Sequence, residues 1–517
     1  MTRARLLVQG SAVRIVNLFL GIAVSFFMMP YLVRHLGERM YGVWVLIGSL
    51  LGYYGLLDVG LSSAVARFIS RAIGRNDRED VRCITSTSFY IFAGMGVAGI
   101  LLTVAVAAGM GGIFHDPSDR RFFRIIVLLL GLNYAFDFPV RAFTAVFSSN
   151  LRDDISFGIF TVKTVITPAL IVLVIEKGGG IVGLAVVNVA CSVVANVARV
   201  VMAYRVEPSL SISPRYFDAS KMRSLFGYSV YTFVGRVADI FRFKLDHLVI
   251  TAFVGLRSVT HYSVAMRLFE CLTDLITQMV GVVGPMFSQD EGRGDYEAIR
   301  RKFLFVTKIS LYVAIFLGGT AVMYARDFIQ RWMGPEFSDS YTILAIILVP
   351  LILAMMQKPV NPLLYGISKH KYIAYSNLLE GLANLGLSLA LVRRYGIAGV
   401  ALGTAIPMTL MAVVAQPVFA CRAIRLSLRR YADLIVNNAL VALLALALGR
   451  LLVGRFAAPH YGYLAACIFV QALIYGPVAI RFGFTPEERD VVLQVFREMT
   501  GSSKLQVASG AGGKGLA

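Results

Sequence analysis

Apolar stretches of roughly 20 residues, the length a helix needs to cross a bilayer, recur along the chain. Short polar runs rich in Lys, Arg, Gly and Pro separate them. The pattern predicts an all-α, polytopic membrane protein with about fourteen transmembrane helices. The apolar cores fall at 12–33, 41–69, 84–109, 125–146, 155–175, 181–204, 224–253, 261–287, 303–324, 341–365, 373–392, 397–420, 431–449 and 459–480. The longest internal connection, residues 205–223, holds Pro208 and Pro214 and reads as a linker. At the far end, Thr485, Pro486 and Glu488 form a helix start with a capping box. This predicts a short amphipathic helix on the cytoplasmic surface, followed by a disordered tail.

The basic residues divide unequally between the two sides. The connections that share a side with the chain start hold 26 Lys and Arg, and the opposite set holds 13. Lys and Arg collect in cytoplasmic loops, so both termini are expected in the cytoplasm. The run that begins the chain continues to Pro30 and lacks a small-residue cleavage site, so it reads as an uncleaved span.

Composition agrees with this reading. Hydrophobic residues make up 57% and charged residues 15%, against about 25% charged in soluble proteins. The net charge of +20 is explained by the loop bias, and no nucleic-acid partner is expected. The five cysteines lie far apart, with no metal-ligand or CxxC spacing. No metal or cofactor is expected. No HExxH, GxSxG or P-loop motif occurs in a connection, so no catalytic residues are assigned.

The chain also matches itself. A shift of 218 residues brings "HLGERMYGVW" (35–44) onto "FVGLRSVTHY" (253–262), and "IGRNDREDVR" (73–82) onto "EGRGDYEAIR" (291–300). Gly37 meets Gly255, Arg39 meets Arg257, Asp77 meets Asp295 and Arg82 meets Arg300. Both starts lie on the same side, which makes a parallel repeat. Two pseudo-symmetric six-helix lobes around a central cavity are expected, at 1–204 and 224–420, joined by 205–223. Residues 421–481 add two peripheral helices, and 482–517 hold the amphipathic helix and tail.

Eleven basic and seven acidic residues fall within the predicted spans, besides Asp433 near the end of one. A mid-membrane charge costs at least ~2.5 kcal/mol on insertion scales, so these residues should face a cavity or each other. Span seven is the densest, with Arg236, Asp239, Arg242, Lys244 and Asp246 on one broad side. Val237, Ala238, Phe241, Leu245, Leu248 and Val249 occupy the other. Arg267, Glu270, Asp274 and Gln278 share a face of span eight; Asn377, Glu380, Asn384 and Ser388 form a stripe on span eleven. Asp137 and Arg141 are an i, i+4 pair on span four, and Asn188, Ser192, Asn196 and Arg199 line one side of span six. The excess of base predicts an anionic substrate, since Arg and Lys donate charged hydrogen bonds to phosphate oxygens. The candidate headgroup residues are Arg236, Arg242 and Lys244, then Arg14, Arg141, Lys163 and Arg267. Asp58, Asp239, Asp246, Glu270, Asp274 and Glu380 are the candidate charge partners or coupling sites.

The stretch "YLVRHLGERMYGVWVLIGSLLGYYGLLDVGLSSAVARFISRAIGRND" and the later "KLDHLVITAFVG…HYSVAMRL" resemble the O-antigen and exopolysaccharide (Wzx-like) flippases of the multidrug/oligosaccharidyl-lipid/polysaccharide (MOP) exporter superfamily. By position, Asp58, Arg67 and Asp246 match the pattern of that family. The resemblance implies alternating access by two six-helix bundles. It implies a lipid-linked oligosaccharide on undecaprenyl diphosphate, moved to the periplasmic leaflet of a bacterial inner membrane. Membrane lipids and other polysaccharide-assembly proteins are the remaining expected partners, with an H+ or Na+ gradient as the coupling. A lipid II flippase and a multidrug cation antiporter share the superfamily; a cation substrate would prefer an acidic interior. A polysaccharide polymerase or ligase would need a larger extracytoplasmic loop than the roughly 16 residues at 325–340. Topology is open to direct test: a reporter fluorescent only in the cytoplasm should light up when inserted at 211 and stay dark at 257, and the reverse pattern would invert the assignment.

Overall fold

A computed structural model of the chain describes residues 3–58, 60–109, 117–150, 152–226, 245–281, 283–367, 369, 371–453 and 460–499. At 3–18, 63, 74, 117–119, 153, 281, 284–285 and 493–499 only the backbone is described. Among the described residues helices are the only regular secondary structure. They are α1 (Arg3–Gly52), α2 (Leu61–Gly74), α3 (Arg78–Gly109), α4 (Pro117–Ser149), α5 (Asp153–Glu176) and α6 (Gly180–Val206). Then come α7 (Leu245–Phe253), α8 (Leu256–Gly281), α9 (Gly284–Gly292), α10 (Tyr296–Trp332), α11 (Ser338–Met356) and α12 (Val360–Gly366). The last are α13 (Lys371–Leu410), α14 (Gln416–Ala423), α15 (Leu428–Val453), α16 (Tyr461–Gly483) and α17 (Pro486–Met499).

Ten helical stretches among the described residues are long and apolar enough to cross a membrane. Two of them each cover a pair of predicted spans. In α1, spans one and two meet at Gly37 (φ 79°, ψ 156°), and in α13, spans eleven and twelve meet at Gly396 (φ 56°, ψ −135°). The predicted connections there shrink to one glycine each, because glycine alone turns the chain so sharply at little steric cost. Helix α8 covers predicted span eight but carries Arg267, Glu270 and Asp274, and it is not one of the ten. Residues 227–244 of predicted span seven lie outside the described residues.

Predicted span two is not one helix. It breaks at a 3₁₀ turn, Tyr53–Asp58, and restarts at α2 after Gly60 (φ 75°). Gly52, Gly55 and Gly60 crowd this segment, and Asp58 supports the restart by accepting from the Ser62 amide at 3.3 Å and the Ser62 hydroxyl at 2.8 Å.

The chain divides into two compact units. One is Met1–Arg267 with Ala374–Pro407; the other is Leu268–Ile373 with Met408–Ala517. The first unit has two apolar cores. One gathers Leu61, Val65, Phe92, Phe138 and Phe147 from α2, α3 and α4; the other gathers Leu46, Ile47, Tyr54, Phe123 and Ala185 from α1, the turn after it, α4 and α6. In the second unit Phe287, Phe303, Leu363, Cys421 and Tyr431 form a core under α9 to α15, with the Phe303 and Tyr431 rings stacked at 5.7 Å.

The internal repeat is visible in local backbone geometry. Asn76 (φ 56°) and its equivalent Gly294 (φ 71°) both take the left-handed turn, which Asn tolerates better than most residues. One residue on, Asp77 accepts from the Asp80 amide at 2.9 Å, and Asp295 from the Ala298 amide at 2.9 Å. Arg82 donates to the Ser209 carbonyl at 2.7 Å, just past α6. Arg300 points to the Ile424 and Arg425 carbonyls at 3.5 and 3.4 Å, just past α14.

The linker is held to α3. Ser86 donates to the Ser211 carbonyl at 2.7 Å, Thr87 accepts from the Asp218 amide at 3.0 Å, and Lys221 pairs with Asp80 at 2.5 Å. In the second unit the predicted capping box forms: the Thr485 amide donates to Glu488 at 3.0 Å, and the Glu488 amide lies 3.4 Å from the Thr485 hydroxyl. Glu488 also binds Lys308 of α10 at 2.7 Å. The cap therefore neutralises a lysine that is only 7% exposed.

Helices α3 and α4 approach closely over small residues. A Cβ on Gly96 would sit 2.7 Å from the Ala135 carbonyl oxygen, and one on Gly131 2.5 Å from Thr103. Such seams suit membranes, where packing rather than water exclusion joins helices. Gly94, two residues from Gly96, faces open space. Gly96→Ala should cost about 1–3 kcal/mol by overpacking, whereas Gly94→Ala should be neutral or stabilising. Thermal unfolding in detergent separates them, and equal melting points would refute the close approach.

Candidate functional site

Two groups of polar side chains are brought together inside the first unit. The first lies on α4, α5 and α6. The polar stripe of α6 turns Ser192, Asn196 and Arg199 toward Asp137 on α4 and Lys163 on α5. The Lys163 ammonium donates to the Ser192 hydroxyl at 2.7 Å. The Asn196 amide donates to Asp137, and its carbonyl accepts from the Arg199 guanidinium at 2.7 Å. Two bases thus surround one acid, linked through neutral side chains. The Asn196 amide orients the carboxylate and leaves both bases with donors to spare.

Arg141, one turn below Asp137, forms its ion pair with Asp58 at 3.6 Å. Its guanidinium also lies over the Phe138 ring, 4.3 Å from the centroid. Asp58 reaches this position because span two breaks just after it. Arg141, Lys163 and Arg199 stand against Asp58 and Asp137, so this group carries one excess positive charge. An apolar groove of about 650 Å³ runs along α4 and α6, with Asn133 and Asn196 on walls otherwise made by residues such as Leu129, Phe136, Val193 and Val197.

The second group surrounds Asp246 near the start of α7. Its carboxylate is 3% exposed and accepts from the Tyr262 hydroxyl at 2.7 Å and the Thr404 hydroxyl at 3.1 Å. Thr404 lies 3.5 Å from the Asn384 carbonyl oxygen, which accepts from Ser388 at 2.9 Å. Glu380, one turn before Asn384 on α13, is 2% exposed. The glycine bend at 396 folds the two halves of α13 together: Ser388 on one half touches Gly403 on the other, where a Cβ would lie 2.2 Å from its hydroxyl oxygen. One carboxylate, three hydroxyls and an amide thus share one buried site. A buried carboxylate is tolerated only with such donors, and this oxygen-rich set suits a proton or a hard cation.

Of the residues singled out from sequence, Arg141, Lys163 and Asp58 meet in or beside the first group, Asp246 centres the second, and Glu380 is buried one turn before Asn384 on α13. Arg267 is half-buried on α8, and Glu270 and Asp274 are exposed there. Arg236, Asp239, Arg242 and Lys244, and the side chain of Arg14, lie outside the described residues. Asp137 and Arg199 share helix faces with polar neighbours in the sequence, but neither is among the candidate site residues above. Tyr262 and Thr404 gave no signal of their own, because a search for charge passes over neutral hydroxyls. Among the described residues no group of three or more His, Cys, Asp and Glu suits a metal ion.

Comparison with known proteins agrees with this architecture. The chain is 22% identical over 497 residues to a membrane protein of Bacillus subtilis, EpsK, covering 94% of this chain and 97% of that one. It is 22% identical over 403 residues to a putative O-antigen transporter of Shigella flexneri, covering 75% and 91%. Its fold matches that of the lipid II flippase MurJ in an inward closed conformation, with a TM-score of 0.73 at 15% identity over 94% of this chain and all of that one. A model of the polysaccharide biosynthesis protein family matches residues 32–342, and the chain belongs to that family.

Proposed function

We propose that this chain is a polysaccharide flippase of the MOP superfamily. It carries lipid-linked oligosaccharide repeat units, borne on undecaprenyl diphosphate, from the cytoplasmic to the periplasmic leaflet of a bacterial inner membrane. Its role is transport and not catalysis. The observation that carries the substrate assignment is the pair Lys163 and Arg199 around the single carboxylate of Asp137. A diphosphate is doubly suited to such a place, as an anion and as an acceptor of several hydrogen bonds. The apolar groove beside Asn196 offers a hydrocarbon chain room close to those charges. A cationic drug would be repelled by the same residues, which disfavours the multidrug antiporter reading.

Translocation runs by alternating access, the mode that the family resemblance implies and that the internal repeat supports. The headgroup binds at the basic residues, one side closes, the other opens, and the lipid tail stays in the bilayer. The buried site at Asp246, Thr404, Asn384 and Glu380 serves as the coupling site for H+ or Na+. Occupying or emptying it changes the net charge of a dry cluster that joins α7 to both halves of α13, so the ion has a differential affinity to spend on the conformational change.

Three outcomes are expected. A strain lacking the protein should accumulate lipid-linked repeat units facing the cytoplasm, and normal surface glycan in that strain would count against the reading. In the complemented strain, Lys163→Ala or Arg199→Ala should each weaken headgroup binding about 10–100-fold, the value of one charged hydrogen bond, as measured by export at matched expression. Separately, Asp246→Asn keeps the shape of the side chain but not its charge. It should fold normally and lose the response of export to a collapsed ion gradient; a variant as gradient-sensitive as the parent would remove Asp246 from coupling.

A further inference from the structure

The two copies of the repeat meet inside the first unit, at a seam whose contacts follow the repeat itself. Glu38 and Gly42 lie just past the bend of α1, and under the shift of 218 residues their equivalents are Leu256 and Thr260 on α8. The Thr260 hydroxyl donates to the Glu38 carbonyl at 2.6 Å. In the mate of that contact, Gly42 packs on the Leu256 carbonyl, so tightly that a Cβ would lie 2.2 Å from the oxygen. Residue 38 meets 260 and residue 256 meets 42, the signature of a self-complementary contact about a two-fold axis.

One part of the seam breaks the symmetry. Glu38 has a leucine as its equivalent, so its carboxylate occurs once. The Arg257 guanidinium donates to it, with the second nitrogen at 3.5 Å, and the His261 imidazole lies 3.4 Å away. Arg257 is largely exposed, with 71% of its side chain accessible, whereas His261 beneath it is 7% accessible. Further along α1 the Ser49 hydroxyl meets the His247 ring of α7 at 3.1 Å, and Ser49 is buried. The connections that hold Glu38 and Arg257 both belong to the Lys- and Arg-poor side.

We infer that Glu38, Arg257 and His261 form a latch that shuts the extracytoplasmic end of this seam, and that opening toward that side requires the latch to part. The inference rests on the transport reading. Its chemistry is that of a partly exposed ion pair over a close-packed backbone contact, strong enough to hold the seam and weak enough to release it.

The test reads the seam directly and needs no glycan. In a background with the five native cysteines replaced by alanine, Ser49→Cys reports access from outside to a membrane-impermeant maleimide on intact cells. Labelling should be low in the parent and rise at least fivefold with Glu38→Gln, which removes the charge. Gly42→Ala, which wedges the backbone contact without touching a charge, should raise it comparably. The reversed pair Glu38→Arg with Arg257→Glu should return labelling toward the parent level, a rescue that a merely misfolded protein would not give. Labelling unchanged in both single variants, with the protein still monodisperse, would overturn the latch. So would a rise seen only when the reagent is applied from the cytoplasmic face of inverted vesicles. Because labelling is independent of substrate, a failure here is distinct from normal surface glycan in the deletion strain, which would fault the transport reading alone.

Discussion

Hydrocarbon offers no hydrogen bonds, and that single constraint organises this molecule. Each charge placed within the membrane must be met by another part of the protein, so the polar residues dictate which helices approach which. Asp246 draws a tyrosine from α8 and a threonine from the second half of α13. Asp137 draws an asparagine from α6. Lys308 draws a glutamate from a helix 180 residues away. The close seams over glycine add a second source of specificity, since at Gly96 and Gly131 a single Cβ would not fit.

Much of the fold was legible in the chain because membrane helices announce themselves by length and apolarity. The positions of α3 to α6, α10, α15 and α16 follow closely from hydropathy. The capping box at Thr485 and Glu488 could be read because caps are local. The bend at Gly37 could not be foreseen as a single residue, since a polar connection of seven residues looks the same whether it loops out or turns at once. The break in span two was written in three glycines, but hydropathy does not register glycine as an interruption.

The site was legible in part, for a similar reason. Helical spacing identified Asp137 and Arg141 as neighbours on one face, yet Arg141 turns to Asp58, which is distant in sequence and arrives through the break in span two. Spacing along one helix reveals which groups share a face and says little about which helix that face meets. Tyr262 and Thr404 show the other limit. They are common residues in membrane helices, and only the carboxylate they surround gives them meaning. The repeat carried information across this gap: equivalences read in polar loop residues recur as matching turns at Asn76 and Gly294 and as matching arginine contacts at Arg82 and Arg300.

The attachment of the linker to α3 has a consequence for biogenesis. Ser86 and Thr87 emerge from the ribosome with the first half of α3, but their partners at 211 and 218 follow roughly 125–130 residues later. At synthesis rates of about 5–20 residues per second, that is a wait on the order of 6–25 seconds. During that interval the hydroxyl groups of Ser86 and Thr87 lack their later partners, whereas Thr85 and Ser88 already bond to carbonyls one turn back in α3. The linker therefore acts as a timed clasp, closing on α3 only after residue 218 has been made.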